Sequence, residues 1–154
     1  MDTTSTSLGN IVLRSGRAVL QLGIAVLGTV VILGSLVSFA ITFVAMSPSN
    51  SGFAGGLAIM VFGLYVLIGF IMLAIGLWIP QREGEGIQFS SQQRTLLAYG
   101  AVAPIVSVLL IPTGARIAPT LTEPLISVVV AVLAGLVLSG PIATLAAIGS
   151  KIKN

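Results

Sequence analysis

The 154 residues include no cysteine and no histidine, and only four acidic side chains. Without cysteine there is no disulfide, no thiolate metal site and no cysteine nucleophile. Without histidine the commonest metal ligand and the commonest general base are both missing. Charge of either sign is scarce, at 7% of residues against 56% hydrophobic, and the mean hydropathy is +1.13. A soluble domain carries about 25% charged residues, so soluble globular and disordered chains are both excluded. The basic excess is seven Lys/Arg over four Asp/Glu. That is too thin for a nucleic-acid surface, and these charges stand at helix ends rather than in a patch.

What the chain does have is long apolar runs. Four of them, at 18–46, 53–79, 95–111 and 125–149, hold no charged residue. About 20 such residues cross a hydrocarbon core of about 30 Å. The pattern predicts an all-α, polytopic membrane protein: a four-transmembrane-helix bundle forming one domain over 1–154. A signal peptide has an apolar core of only about 7–15 residues, so the first run reads as an uncleaved anchor. Residues 1–9 read as a mobile Ser/Thr-rich tail, with Asn10 capping the first helix.

The connections follow from turn chemistry. Residues 47–52 (Ser-Pro-Ser-Asn-Ser-Gly) form a tight polar turn. Residues 80–94 are the most polar internal segment, with Arg82, Glu83 and Glu85. Within it, Ser90 and Gln93 have capping-box spacing and predict a helix start near Ser91. Residues 112–124 are proline-rich and predict a connection, with Thr120 and Glu123 as a second capping box and Pro124 in a first helical turn.

The most regular feature lies in the fourth run. Ser127, Ala131, Gly135, Ser139, Ala143 and Ala147 are small and spaced by four. Residues at i and i+4 stack on a helix surface, so they make a low ridge. In lipid such a ridge lets another backbone come close. A large side chain at Gly135 is therefore expected to push packed helices apart. The ridge drifts by about 40° per step, too far around the helix for one straight neighbour to cover.

A second group surrounds two prolines. Pro104 and Pro141 are placed at similar depth by their distance from the predicted helix ends, and they free the carbonyls of Gly100 and Val137. Tyr99, Ser107, Ser139 and Thr144 are polar groups nearby. The set Tyr99, Gly100, Pro104, Ser107, Val137, Pro141 and Thr144 is a possible cleft or hinge; its plain reading is two kinks re-satisfied by their neighbours. Tyr65, mid-span, should find a backbone carbonyl or a hydroxyl such as Thr29, Ser35 or Ser38. Gly23, Gly34, Ser38 and Ala45 fall within one arc of the first helix. Gly56 with Gly63, and Gly69 with Gly76, mark two sides of the second.

No carboxylate lies within a span, and no Ser or Thr has a His, Lys or acid partner there. Catalytic residues, cofactor and metal are therefore all expected to be absent. In size and helix count the chain resembles the small four-helix multidrug exporters, which depend on a membrane-embedded Glu in their first helix. Here the first span has Gln21 and no acid. Tetraspanins and claudins share the helix count but rely on extracellular cysteines that this chain lacks.

The leading expectation is a non-enzymatic subunit: a small structural or accessory component of a larger membrane complex, or of a homo-oligomer. It is a multi-pass protein of the cell membrane whose partners are the lipid bilayer and other membrane helices, with no nucleic acid. The alternatives are a small uncoupled carrier or channel with its path near Pro104 and Pro141, and a membrane structural protein of an enveloped particle.

Orientation follows from Lys/Arg bias. Arg14 and Arg17, Arg82 and Arg94, and Lys151 and Lys153 share one predicted face, with only Arg116 opposite. Both termini and the 80–94 loop are thus expected to be cytoplasmic, and the 47–52 and 112–124 loops outside. Single cysteines introduced at Ser5, Ser49 and Ser90 test this in a cysteine-free background. An impermeant thiol reagent on intact cells should label Ser49→Cys alone; labelling at either other site refutes the topology.

Overall fold

A segment in hydrocarbon must satisfy its backbone groups internally, and a helix does so alone. The computed structural model, which describes residues 3–45, 53–79 and 87–153, is all-helical. The helices are α1 (Thr3–Ala45), α2 (Phe53–Trp78), α3 (Ser91–Ile117) and α4 (Glu123–Lys153), with a 3-10 turn at Ala118–Thr120. Each is long and apolar enough to cross a membrane, over Gly16–Ala45, Gly55–Trp78, Ser91–Gly114 and Glu123–Lys153. The 47–52 turn and the 80–86 segment with Arg82, Glu83 and Glu85 lie outside the described residues.

Several boundaries differ from the sequence reading. The expected tail is helical from Thr3, and Asn10 lies inside α1 rather than capping it. No proline interrupts 3–45, and extending an existing helix is far cheaper than nucleating one. The third helix does not stop at Ile111: α3 runs through Pro112 to Ile117. Beyond the proline, Gly114 packs against Leu133 and Val129 of α4. Arg116 lies in the last turn, where a cation suits the helix dipole. The 112–124 connection therefore shrinks to 118–122. The second capping box does not form. The Ile126 amide bonds the Thr122 carbonyl, so Thr122 takes the cap position, and the Thr120 hydroxyl donates back to Ile117 (2.7 Å). The first capping box does form: the Ser90 amide donates to Gln93 Oε1 (2.9 Å) and the Gln93 amide to Ser90 Oγ (3.3 Å).

The four helices do not close into a ring. α1 packs along α2, α3 packs along α4, and α2 joins the two pairs by touching both α3 and α4. α1 packs broadly on α2 alone and stands at the edge. Its inner face is Gln21, Ala25, Gly28, Ile32 and Ser35, all buried. These alternate spacings of four and three, the 3.5-residue period of a helix seam. The arc of small residues lies off this seam: Gly23, Gly34, Ser38 and Ala45 are exposed.

At this seam backbone meets backbone. A Cβ added to Gly28 would lie 2.6 Å from the Leu73 amide nitrogen and 2.7 Å from the Gly69 carbonyl oxygen. One added to Gly76 would lie 2.7 Å from the Ala25 nitrogen. On α2, then, the Gly69/Gly76 side faces α1, while Gly56 and Gly63 are open. The buried cluster of Ala25, Leu77, Phe89, Leu97 and Ala147 sits at the end of the molecule near residues 87–90. At the other end, α4 from Glu123 to Ala131 is mostly exposed.

Gly28→Ala and Gly34→Ala add the same methyl group to the same helix. The second meets nothing within 4 Å and should be neutral or slightly stabilising through helix propensity. The first meets backbone that cannot yield locally and should cost about 1–3 kcal/mol. Thermal unfolding in mild detergent checks this; equal midpoints for the two variants would refute the seam.

Candidate functional site

Three levels of the molecule carry features beyond plain apolar packing. The first is the packed end. Gln21 is 2% exposed and holds the backbone of Ile87 from both sides. Its Nε2 donates to the Ile87 carbonyl (3.1 Å), and its Oε1 accepts from the Ile87 amide (3.2 Å). The pairing satisfies a buried side-chain amide and docks the segment before α3 onto α1. Gln93 does the same for α4: beside its capping bond, its Nε2 donates to Ser150 Oγ (3.0 Å). Ser150 in turn donates to the Ala147 carbonyl (2.9 Å). Residues from α1, α3, α4 and the 87–90 segment thus meet at one end.

The second level holds the two prolines. They are level with each other, because Gly140, next to Pro141, abuts the ring of Pro104. They do not share a cleft. Pro104, Ser107 and Thr144 are fully buried. A Cβ at Gly100 would collide with Thr144 Oγ1, and one at Gly140 with the Pro104 ring. The carbonyl of Gly100, freed by Pro104, lies against the backbone of Gly140. Thr144 donates to the Gly140 carbonyl (3.0 Å) and Ser107 to the Ala103 carbonyl (2.7 Å). Tyr99 bonds Ser139 across the α3–α4 seam (3.0 Å). Since Ser139 already donates to the Leu136 carbonyl (2.8 Å), Tyr99 is the donor. Every buried side-chain nitrogen or oxygen among the described residues has a partner. The expected cleft is therefore a closed packing contact at Gly100, Pro104, Ser107 and Thr144. Val137 and Pro141 face elsewhere, into a groove against α2.

The third level is the open end. A groove of about 580 Å³ runs between the end of α3 and the first half of α4, past Gly114, Leu121, Val130 and Leu133. A second of about 410 Å³ lies between α2 and α4, beside Gly63 and Pro141. The two share Ile111, Val137 and Leu138 and are apolar throughout.

The ridge on α4 crosses these levels and splits. Ala143 and Ala147 are buried and Ser139 half-buried, against α3. Ser127, Ala131 and Gly135 are exposed, and nothing lies within 4 Å of where a Gly135 Cβ would be. The close contact with α3 is made by Gly140, not Gly135. The expectation that a large residue at Gly135 would split the chain's own packing is corrected accordingly. The cause is the drift of the ridge, which carries its first half away from α3. Tyr65 is also placed otherwise than expected. It is half-exposed, while two of its expected partners, Thr29 and Ser35, each donate to a carbonyl of α1 itself.

Sequence reasoning missed Gln21, Gly140 and the Gln93–Ser150 bond. The 3.5-residue spacing through Gln21 was the available signal for the first. The chain matches no known family model, no curated protein and no solved structure.

Replacing Gln21 with Leu strands the amide and carbonyl of Ile87. The expected loss is about 1–3 kcal/mol, with faster protease cleavage within residues 80–90. Gln92→Leu, at an exposed position of α3, should shift stability by less than about 0.5 kcal/mol. Indistinguishable variants would show that the Gln21 bonds do not hold the segment.

Proposed function

We propose that the chain is a non-enzymatic integral membrane protein acting as a small structural or accessory subunit of a homo-oligomer or a larger membrane complex. Its termini and the 80–94 loop face the cytoplasm, on the strength of the Lys/Arg distribution. The observation that carries the reading is the uncovered half of the α4 ridge. Small residues on a lipid-facing surface give up van der Waals contact unless another backbone approaches them, because lipid supplies no hydrophobic force between helices. Ser127, Ala131 and Gly135 are such residues, and they lie on the half of α4 that borders the larger groove. The open glycines Gly23, Gly34, Gly56 and Gly63 extend the same feature to α1 and α2.

A coupled carrier would need a titrating group in its path, and no acid, Lys or His lies in the four apolar runs. A path beside both prolines would need open polar space, and that level is filled by Pro104, Gly140 and Thr144.

Native mass measurement and crosslinking from the source membrane test the proposal. The wild-type protein should carry a stoichiometric partner, either further copies or a larger membrane protein. Gly135→Leu should release that partner while leaving the thermal midpoint of the isolated chain unchanged. A monodisperse wild-type monomer showing robust proton-coupled flux in vesicles would overturn the assignment.

A further inference from the structure

A cleft of about 480 Å³ opens where α2 ends and α3 begins, lined by Trp78, Phe89, Ser91, Arg94, Thr95 and Ala98. Unlike the two grooves at the open end, much of its wall is polar. Trp78 closes the apolar stretch of α2 and Ser91 opens that of α3, so the cleft lies at the level of the lipid head groups. Tryptophan is the residue type that favours this layer. Among the described residues, the charge in the wall is of one sign. Arg94 is half-buried, and among the described residues no carboxylate lines the cleft. Thr95 has already given its hydroxyl proton to the Ser91 carbonyl (3.1 Å), which leaves the Arg94 guanidinium, the Ser91 hydroxyl and the Trp78 indole N–H as side-chain donors in the wall. Phe89 and Ala98, with the face of Trp78, supply an apolar side.

We propose that this cleft binds the head group of an anionic phospholipid, with the phosphate on Arg94 and Ser91 and the first acyl carbons against Trp78, Phe89 and Ala98. Two features favour this occupant. A guanidinium presents several donors in a planar fork and pairs with phosphate oxygens two at a time. The mixture of donors and apolar wall matches a ligand that is charged at one end and aliphatic at the other. A zwitterionic lipid brings its own cation close to Arg94 and is the weaker ligand. Free phosphate leaves the apolar side uncovered.

The test uses the purified full chain in neutral detergent, with lipid binding read by native mass spectrometry and by thermal shift. Phosphatidylglycerol should bind and stabilise, and phosphatidylcholine should do so much less. Arg94→Gln should weaken phosphatidylglycerol binding about ten-fold, because the paired charge-assisted bonds are lost and glutamine keeps a neutral donor. Arg94→Lys should fall between. Arg116→Gln makes the same charge change at the other end of α3 and should leave binding unchanged. Equal losses in the Arg94 and Arg116 variants would reduce the effect to net charge and overturn the site, as would wild-type binding by Arg94→Gln. Protection by glycerol phosphate at the same concentration as the lipid would overturn the lipid assignment in favour of a simple anion site. The lipid-free thermal midpoint of Arg94→Gln should equal that of the wild type. If it drops while phosphatidylglycerol binding by Arg94→Lys equals that of the wild type or of Arg94→Gln, Arg94 is a structural residue and the site is refuted.

Discussion

The structure depends on backbones approaching each other at glycine. In lipid, apolar side chains gain nothing by leaving their surroundings for another helix, so association rests on close van der Waals contact and weak Cα–H···O bonds. The two helix pairs meet this demand in the same way. Gly28 lies against Gly69 and Leu73, with Gly76 against Ala25, and Gly100 lies against Gly140 and Thr144. At these points a single methyl group has no room. The edge helix α1 makes its close backbone contacts with α2 at these glycines.

Polar side chains are used sparingly and locally. Thr29, Ser35, Ser107, Ser139 and Thr144 all return their hydroxyl protons to carbonyls of their own helices. Such bonds satisfy each hydroxyl within its own helix. The amides are used otherwise. Gln21 and Gln93 reach across the structure and fasten the 87–90 segment and α4 to the packed end. A glutamine can donate and accept at once, so Gln21 alone satisfies both the N–H and the C=O of Ile87.

The result is a molecule with two unlike ends. One is closed by glycine contacts, glutamine bonds and a small apolar cluster. The other is splayed, with two connected apolar grooves and the uncovered half of the α4 ridge. The open end offers the surface on which the proposed subunit role rests.

By itself the sequence determined the class of structure. Long uncharged runs in a chain with 7% charged residues leave hydrogen-bonded helices as the way to satisfy the backbone, and α2 appears within a residue of its expected bounds. The Ser90–Gln93 capping box was legible because it is a bond between near neighbours in the chain. Tertiary structure decided the helix ends at Thr3 and Ile117, where continuation of a helix and packing of Gly114 on α4 outweighed local stop signals. It also decided which small residues pack. Gly28 and Gly140 are held against a neighbour, while Gly34 and Gly135 are open, although all four are the same residue in similarly apolar surroundings. Periodicity places a residue on a face of its own helix, but the rotation of that helix relative to its neighbours is a property of the assembled chain.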